Sequence, residues 1–152
     1  MKAVQIDDPE ARSRICREIL GELPGWFGLE EANAGYERDV ADLPTFAVGD
    51  DGFLALKLHT AEAAEVYVMG VRPDLHRRGV GTALLDAAEA YLRDRGVEFL
   101  QVKTLGPSRP SERYEQTRRF YQARGFTPLQ ELSEIWGPDN PCLVMVKHLR
   151  CR

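Results

Sequence analysis

The segment VMGVRPDLHRRGVGTALL, residues 68–85, constrains the fold more than any other part of this chain. An apolar run leads into Arg72-Pro73-Asp74, which favours a turn, and two glycines then precede a pattern typical of an amphipathic helix. The first turn of a helix carries unpaired N–H groups and a partial positive charge, so it binds phosphate readily. Glycine lets a ligand approach the backbone closely because it has no Cβ. The segment therefore predicts a strand, a turn and a helix that begins at a phosphate site.

Two common phosphate-binding loops do not fit the glycine pair Gly79 and Gly81. A P-loop requires Lys and then Ser or Thr directly after its last glycine, whereas this chain has Thr82 and Ala83 there. A dinucleotide-binding fingerprint requires a third glycine three residues later, where this chain has Leu84. A glycine pair alone is weak evidence, since most such pairs serve only turns or packing, and that alternative stays open.

The rest of the chain alternates between strand patterns and helix patterns. The predicted order is a strand over 2–7, a helix with a capping Asp8 and Pro9, a helix over 29–43, a hairpin over 45–60, a strand over 64–71, a helix over 79–95, a strand over 97–105, a helix from Pro110 or Ser111 to Gly125, and strands over 126–132 and 142–149. This order predicts an α/β fold with a sheet of mixed direction. A length of 152 residues without an internal repeat or linker predicts one domain over residues 1–152.

Charge and composition narrow the class of protein. The formal net charge is −4, whereas nucleic-acid-binding domains are usually basic. No apolar run reaches the length of a membrane span, and acids, a proline and arginines stand where a signal peptide needs an apolar run. Three cysteines at unrelated positions predict reduced thiols, and three scattered histidines suggest no metal site. We therefore expect a cytoplasmic protein without a metal, nucleic-acid or membrane partner.

The stretch VRPDLHRRGVGTALL resembles the acetyl-CoA-binding motif of the GNAT superfamily of N-acetyltransferases. The superfamily pattern is Gln/Arg-x-x-Gly-x-Gly/Ala, and this chain has His76 at the first position and glycines at the other two. AEVYVMGV is similar to the superfamily's fourth strand, and RRFYQARGF is similar to its later helix-to-strand motif; Tyr114 stands where many members have Asn. The resemblance covers residues 64–126. It implies a GNAT fold of the α/β class, with a mixed sheet of six to seven strands, about four flanking helices, and strands 4 and 5 splayed.

The resemblance also implies an activity and a cosubstrate. A GNAT protein moves an acetyl group from acetyl-CoA to a primary amine by direct attack in a ternary complex. The residues that would bind acetyl-CoA are Met69 and Val71, through their backbone, and Arg77, Arg78, Gly79, Val80, Gly81 and Thr82 at the phosphates. Simpler alternatives remain, namely core packing for the two strand residues, a surface charge pair for the arginines, and ordinary first-turn placement for the threonine.

Two catalytic residues follow from the resemblance. Glu65 matches the catalytic glutamate of the superfamily's histone acetyltransferases and would be the general base, directly or through water. Tyr121 matches the Tyr of the helix-to-strand motif and would protonate the departing thiolate. The alternatives are a strand-end glutamate that faces solvent and an aromatic residue of the helix core. In a regular strand, even separations would place Glu65 on one face with Tyr67, Met69 and Val71.

The sequence does not specify the acceptor amine. By resemblance, its walls would hold acidic and aromatic residues, which here are Trp26, Phe27, Glu30, Glu31, Tyr36, Glu37, Asp39 and Trp136. Such a wall would suit a cationic amine, but a solvated helix face explains it more simply. The expected partner is a small-molecule or peptide amine, and a homodimer is neither required nor excluded. Two rival functions stay open: a non-catalytic acyl-CoA-binding sensor or regulatory domain of the same fold, and a nucleotide-binding α/β domain.

Overall fold

The computed structural model describes residues 1–23, 30–76 and 78–149, with residues 30–32 described by their backbone alone. Within these ranges, the strands are β1 (Val4–Ile6), β2 (Thr45–Val48), β3 (Gly52–Leu58), β4 (Ala63–Val71), β5 (Phe99–Leu105), β6 (Thr127–Leu132) and β7 (Cys142–His148). The helices are α1 (Pro9–Leu20), α2 (Glu30–Val40), α3 (Val80–Asp94) and α4 (Glu112–Ala123), with a short 3-10 helix over Pro73–Leu75. The predicted order of elements is confirmed, with bounds that differ by only a few residues. None of the described helices is both long and apolar enough to cross a membrane.

The strands form one sheet in the order β1-β2-β3-β4-β5-β7-β6. Antiparallel pairing joins β1 to β2, β2 to β3, β5 to β7 and β6 to β7, whereas β4 runs parallel to β5. In the β2–β3 hairpin, Val48 pairs with Gly52 across the turn that the sequence predicts. The sheet is therefore of mixed direction, and the predicted α/β fold class is confirmed.

The chain divides into two compact units, the first of which comprises Met1–Lys57 and Val66–Arg95. In this unit, the apolar stripe of α1 joins α2 and the strands in one core. Its buried residues are Ile15, Cys16, Ile19, Leu20, Leu23, Val40, Ala47, Phe53, Ala55 and Val68. Removal of these apolar side chains from water is the main force that holds α1 and α2 in place.

The N-terminal caps of α1 and α4 show how the local sequence determines where these helices begin. Asp8 caps α1, and its carboxylate accepts a hydrogen bond from the N–H of Ala11 at 2.9 Å. Pro9 occupies the first helical position, where the N–H that proline lacks would be unpaired in any case. Ser111 caps α4 in the same way, since its hydroxyl accepts from the N–H of Tyr114 at 3.4 Å. Both caps lie where the sequence predicts them.

The second unit comprises Leu58–Glu65 and Gly96–Arg152, of which residues 150–152 lie outside the described ranges. It contains α4 and the antiparallel strands β5, β7 and β6. The largest fully buried side chains in this unit are Leu100, Met145 and Leu149. The expectation of one domain over residues 1–152 stays a prediction.

Gly70 lies near the end of β4, in close contact with α1 and β3. A Cβ at this position would lie 3.0 Å from Cγ2 of Ile19, 3.2 Å from Cδ1 of Leu23 and 3.3 Å from Cε1 of Phe53. All three neighbours are buried, so they have little freedom to move away. Packing inside the first unit therefore favours glycine at this position.

We expect Gly70→Ala to lower the free energy of unfolding by about 1–3 kcal/mol, because the added methyl group overpacks the core. Gly35→Ala in α2 is the matched control, since the nearest neighbour of its Cβ would be a guanidinium nitrogen of Arg38 at 3.8 Å. This control should raise the free energy of unfolding by about 0.5–1 kcal/mol, because alanine favours a helix over glycine. Urea denaturation measures both variants, and equal stabilities would contradict the packing argument.

Candidate active site

Gly79 forms the N-terminal cap of α3 in the left-handed conformation, with φ of 88° and ψ of 0°. Residues that carry a Cβ rarely adopt this conformation. The space beside it is open, since a Cβ would meet nothing among the described residues nearer than Sδ of Met1 at 4.0 Å. Backbone conformation, not packing, therefore requires glycine here. The turn into α3 lies where the sequence predicts it.

The first turn of α3 has the properties of an anion site. It contains no acidic residue among its described positions, so the helix does not neutralise its own positive end. The N–H of Ala83 donates to the carbonyl of Gly79 at 3.0 Å and closes the turn. At any helix start, the first N–H groups point away from the helix, because no earlier turn supplies carbonyls to them. A phosphate would find these donors already oriented.

The remaining predicted phosphate-binding residues are placed differently from one another. Gly81 and Thr82 are half-buried in the first turn, Val80 is buried, Arg78 is exposed, and Arg77 lies outside the described residues. Because its side chain belongs to the core, Val80 could contact a ligand only through its backbone. Contacts between these residues and a cofactor therefore stay predictions.

His76 stands where the motif has Gln or Arg. Its Nε2 donates a hydrogen bond to the carbonyl of Val71 at 2.8 Å. The N–H of Arg78 donates to the carbonyl of Leu75 at 3.2 Å. The first bond connects the turn to the last residue of β4, and the second lies within the turn, so His76 has a structural role that the motif did not indicate.

The alternation of side chains along β4 is interrupted. The hydroxyl of Tyr67 donates to the carboxylate of Asp39 on α2 at 2.5 Å, and its ring packs edge-on against Tyr36 with centroids 5.5 Å apart. Three residues later, Gly70 also faces the helical layer, against Ile19 of α1. An odd separation would place these two positions on opposite faces of a regular strand.

The strand must therefore change phase between these positions, as it does at a β-bulge. The prediction that Glu65, Tyr67, Met69 and Val71 share one face is accordingly wrong, because that prediction assumed strict alternation. A bulge also takes backbone groups out of the regular ladder. This property matters for any ligand that has to bind the backbone of β4.

Glu65 is a buried carboxylate of the second unit, with 6% of its surface exposed. Its Oε1 lies 2.7 Å from Nε2 of His59 and 3.5 Å from Nζ of Lys103. A buried charge is tolerated where opposite charges or hydrogen-bond donors replace the lost water. The alternative of a strand-end glutamate in solvent does not describe this side chain.

The sequence pattern did not indicate that His59 or Lys103 lies beside Glu65. His59 lies at the end of the predicted hairpin pattern, so its position beside the next strand had a weak local signal. Lys103 is on β5, and its approach to Glu65 depends on the position of a strand distant in sequence, which no local pattern reveals. Together the three side chains form a polar cluster, defined here as His59, Glu65 and Lys103.

Tyr121 is buried in the second unit, with 5% of its surface exposed. Its ring packs edge-on against Phe120 and Phe126, with centroids 5.4 and 5.3 Å apart. Burial raises the pKa of its hydroxyl, and the nearby Tyr114 raises that pKa further. The hydroxyl therefore stays protonated at neutral pH. The core-aromatic alternative describes the ring, while the role of the hydroxyl stays a prediction.

The predicted acceptor wall is partly occupied by internal contacts. Glu37 pairs with Arg17 at 3.0 Å, and Asp39 accepts from Tyr67. In the second unit, Trp136 is 42% exposed. Trp26 and Phe27 lie outside the described residues, as do the side chains of Glu30 and Glu31. The carboxylates of Glu37 and Asp39 thus already have partners within the protein. For these two acids, this favours an ordinary helix face over an acceptor wall.

Thr104 on β5 carries an unsatisfied hydroxyl. The residue is 4% exposed, and its Oγ1 has no hydrogen-bond partner within the described part of the chain. Val102, two residues earlier on the same face of the strand, is 3% exposed. A buried hydroxyl without a partner loses its hydrogen bonds to water and forms none within the protein to replace them.

Residues 36–128 match the model of a family described as "Acetyltransferase (GNAT) domain". The mycothiol acetyltransferase of Beutenbergia cavernae is 38% identical over 84 residues, which cover 53% of this chain and 26% of that relative. The mycothiol acetyltransferase of Propionibacterium freudenreichii is 40% identical over 63 residues, which cover 41% of this chain and 18% of the relative. The chain thus spans about a quarter or less of the length of these curated relatives.

Two solved structures show how far the fold is shared. An aminoglycoside 6'-N-acetyltransferase in complex with coenzyme A has a TM-score of 0.78 at 17% identity, over 100% of this chain and 99% of that chain. A ribosomal-protein alanine N-acetyltransferase from Escherichia coli has a TM-score of 0.75 at 15% identity, over 97% of this chain and 94% of that chain. At these identities, the likeness shows the fold alone.

We expect Thr104→Val to raise the free energy of unfolding by about 1 kcal/mol, because valine keeps the shape and removes an unsatisfied hydroxyl. The matched control is Val102→Thr, which buries a new hydroxyl on the same face and should lower that free energy by about 1–3 kcal/mol. Thermal and urea denaturation of the ligand-free protein measure both changes. A loss of stability in Thr104→Val would show that the hydroxyl has a partner.

Proposed function

This chain belongs to the acetyltransferase (GNAT) family, and on that premise we propose that it is an enzyme that moves an acetyl group from acetyl-CoA to a primary amine by direct attack in a ternary complex. The observation that carries the proposal is the start of α3. Gly79 is left-handed there, and the first turn has no acid among its described residues. The pyrophosphate of acetyl-CoA is the anion that this turn would bind. Gly79, Gly81 and Thr82 are its proposed contacts, with the backbone of Val80 and the side chains of Arg77 and Arg78.

The thioester end of acetyl-CoA is proposed to lie along β4. The N–H of Met69 would donate to the acetyl carbonyl, and Val71 would pair with the pantetheine amide. Backbone donors aimed at a developing oxyanion stabilise a tetrahedral intermediate. The phase change of β4 supports this role, because a bulge takes backbone groups out of the regular ladder.

The acceptor has to lose a proton before it can attack. An alkyl ammonium with a pKa near 10.4 is about 3.4 units from neutrality at pH 7, which corresponds to roughly 4.6 kcal/mol. Glu65 is the proposed source of basicity and draws this proton away, either directly or through an intervening group. Its burial and its two basic neighbours support the role, because a carboxylate charge is held there away from bulk water.

Tyr121 is proposed to assist the departing thiolate of CoA. A thiol has a pKa near 8.5, below the raised pKa of the Tyr121 hydroxyl. Full proton transfer from tyrosine would therefore be uphill, and the hydroxyl contributes as a hydrogen-bond donor while negative charge builds on sulfur. We therefore expect the Tyr121 hydroxyl to increase the rate only by a factor at the lower end of the range that is typical of acid catalysis.

The proposed acceptor is a small-molecule or peptide amine. The two structures compared above are named for an aminoglycoside and for a ribosomal-protein alanine, so a shared fold is compatible with both kinds of acceptor. A non-catalytic acyl-CoA sensor of the same fold is the second candidate. It would bind CoA at α3 and release no thiol.

A thiol-release screen tests the proposal. We expect the protein, supplied with acetyl-CoA, to release free CoA with at least one of kanamycin, spermidine, lysine amide or a peptide with an N-terminal alanine. Mass spectrometry should find the acetylated amine in equal amount. CoA binding by calorimetry without release from any amine of the panel would favour the sensor.

We expect Gly81→Glu to weaken CoA binding by roughly tenfold or more, because a carboxylate would occupy the positive end of α3 in place of the pyrophosphate. The same charge favours the helix start, so the variant should remain folded. Ala90→Glu is the matched control, since Ala90 is exposed on the same helix and far from its first turn. Calorimetry with CoA compares the two, and equal affinities would contradict the phosphate site.

A further inference from the structure

We propose that His59 is the group through which Glu65 takes the proton from the acceptor amine, so that the imidazole and the carboxylate act as a catalytic dyad. The inference rests on the proposed acetyl transfer and names the proton acceptor within it. Its basis is the geometry of the polar cluster, in which the Nε2 of His59 lies 2.7 Å from the Oε1 of Glu65.

Glu65 is poorly placed to meet a substrate by itself. Its side chain is 8% exposed, and its Oε1 already faces both His59 and Lys103. An acceptor amine would have to displace these partners or enter the protein interior to reach that oxygen. A general base has to come within hydrogen-bond distance of the proton that it removes. The carboxylate therefore needs an intermediary at the surface.

His59 has the exposure that Glu65 lacks. Its side chain is 34% exposed, and no described residue forms a hydrogen bond to its Nδ1. In the neutral ring, a proton on Nε2 donates to the carboxylate and leaves a lone pair on Nδ1. The hydrogen bond to Glu65 thus selects the form of the ring that can accept a proton at its open nitrogen.

The turn between β3 and β4 holds His59 in this position. The N–H of His59 and the N–H of Thr60 both donate to the carbonyl of Ala63, at 3.0 and 3.2 Å. The hydroxyl of Thr60 in turn accepts from the N–H groups of Glu62 and Ala63, at 3.2 and 3.0 Å. Four hydrogen bonds across five residues fix the backbone on which the imidazole stands. Such preorganisation is what a catalytic group requires.

Lys103 completes the arrangement from β5. Its ammonium lies 3.5 Å from the Oε1 of Glu65 and offsets the cost of burying the carboxylate. The carboxylate of Glu65 thus has a basic partner on β5 in addition to the imidazole. A carboxylate that orients a histidine and stabilises its charged form is a known device of hydrolases.

The proton balance of the step is as follows. One N–H bond of the substrate ammonium breaks and an Nδ1–H bond forms, which gives a neutral amine and an imidazolium stabilised by Glu65. The amine lone pair attacks the acetyl carbonyl, and the C–S bond breaks. The new amide nitrogen then loses its extra proton, which neutralises the thiolate, and the imidazolium returns its proton to solvent.

Two substitutions of His59 distinguish a residue that carries a proton from one that only holds the cluster together. His59→Gln keeps an N–H donor for Glu65, so it retains the hydrogen bond but cannot carry a proton. His59→Ala removes the ring and leaves space for a small base. The matched control is His148→Gln, a second histidine of the same unit, whose ring stacks on Phe99 with centroids 5.0 Å apart.

The test measures kcat and KM by thiol release, with those amines of the panel that the wild type acetylates. We expect His59→Gln to lower kcat by roughly 100-fold or more, to retain its KM for acetyl-CoA and its melting temperature, and to remain inactive when imidazole is added. His59→Ala should regain part of its rate with added imidazole. His148→Gln should match the wild type.

Two results would overturn the inference. Wild-type kcat in His59→Gln, together with a large loss in Glu65→Gln, would show that Glu65 acts directly. A loss in His59→Ala that imidazole does not restore, with His59→Gln fully active, would show a structural role. If the wild type itself released no CoA with any amine, the proposed function would fail first and the dyad with it, so the two failures are distinguishable.

Discussion

The left-handed backbone of Gly79 is the constraint on which the start of α3, and with it the proposed CoA site, depends. It sets the residue at which α3 begins. Because α3 begins there, Val80, Leu84 and Leu85 enter the core of the first unit, and the positive end of the helix lies at the turn that we propose for the pyrophosphate. The same single conformation would thus serve both folding and the proposed ligand binding. A residue with a Cβ would have to satisfy both demands under strain.

The polar cluster of the second unit depends on a buried charge and not on a backbone conformation. There, a charge is placed where water cannot reach it, and the fold offsets the cost with one lysine and one histidine. Clusters of this kind are poor sources of stability, since apolar side chains of equal volume would often serve as well. The proposed catalytic role would account for such a cluster in a small protein, because a preorganised charge costs no reorganisation when the reaction takes place.

Features of the fold and the site that neighbouring residues determine could be predicted from the sequence. Features that depend on contacts between residues far apart in the chain could not. The caps at Asp8 and Ser111 and the glycine at residue 79 are local, and the sequence predicts all three. The change of phase in β4 depends on how Gly70 meets Ile19, a contact across fifty residues of chain, and strict alternation fails there. The approach of Lys103 to Glu65 likewise arises from the placement of strands that lie far apart in sequence. Resemblance to a family indicated Glu65 as the proposed base, but it did not indicate the two neighbours that its carboxylate contacts.

The last strand in the order of the sheet, β6, has a further consequence for the protein in solution. An outermost strand offers unpaired N–H and C=O groups to any other strand, which is a route to aggregation. Here Pro128 supplies no N–H, and the register with β7 is irregular between Pro128 and Gln130. At the opposite end of the order, β1 is only three residues long. Leu129 is 67% exposed on β6, so the proline and the irregular backbone, rather than this apolar side chain, oppose pairing of the edge with a second strand.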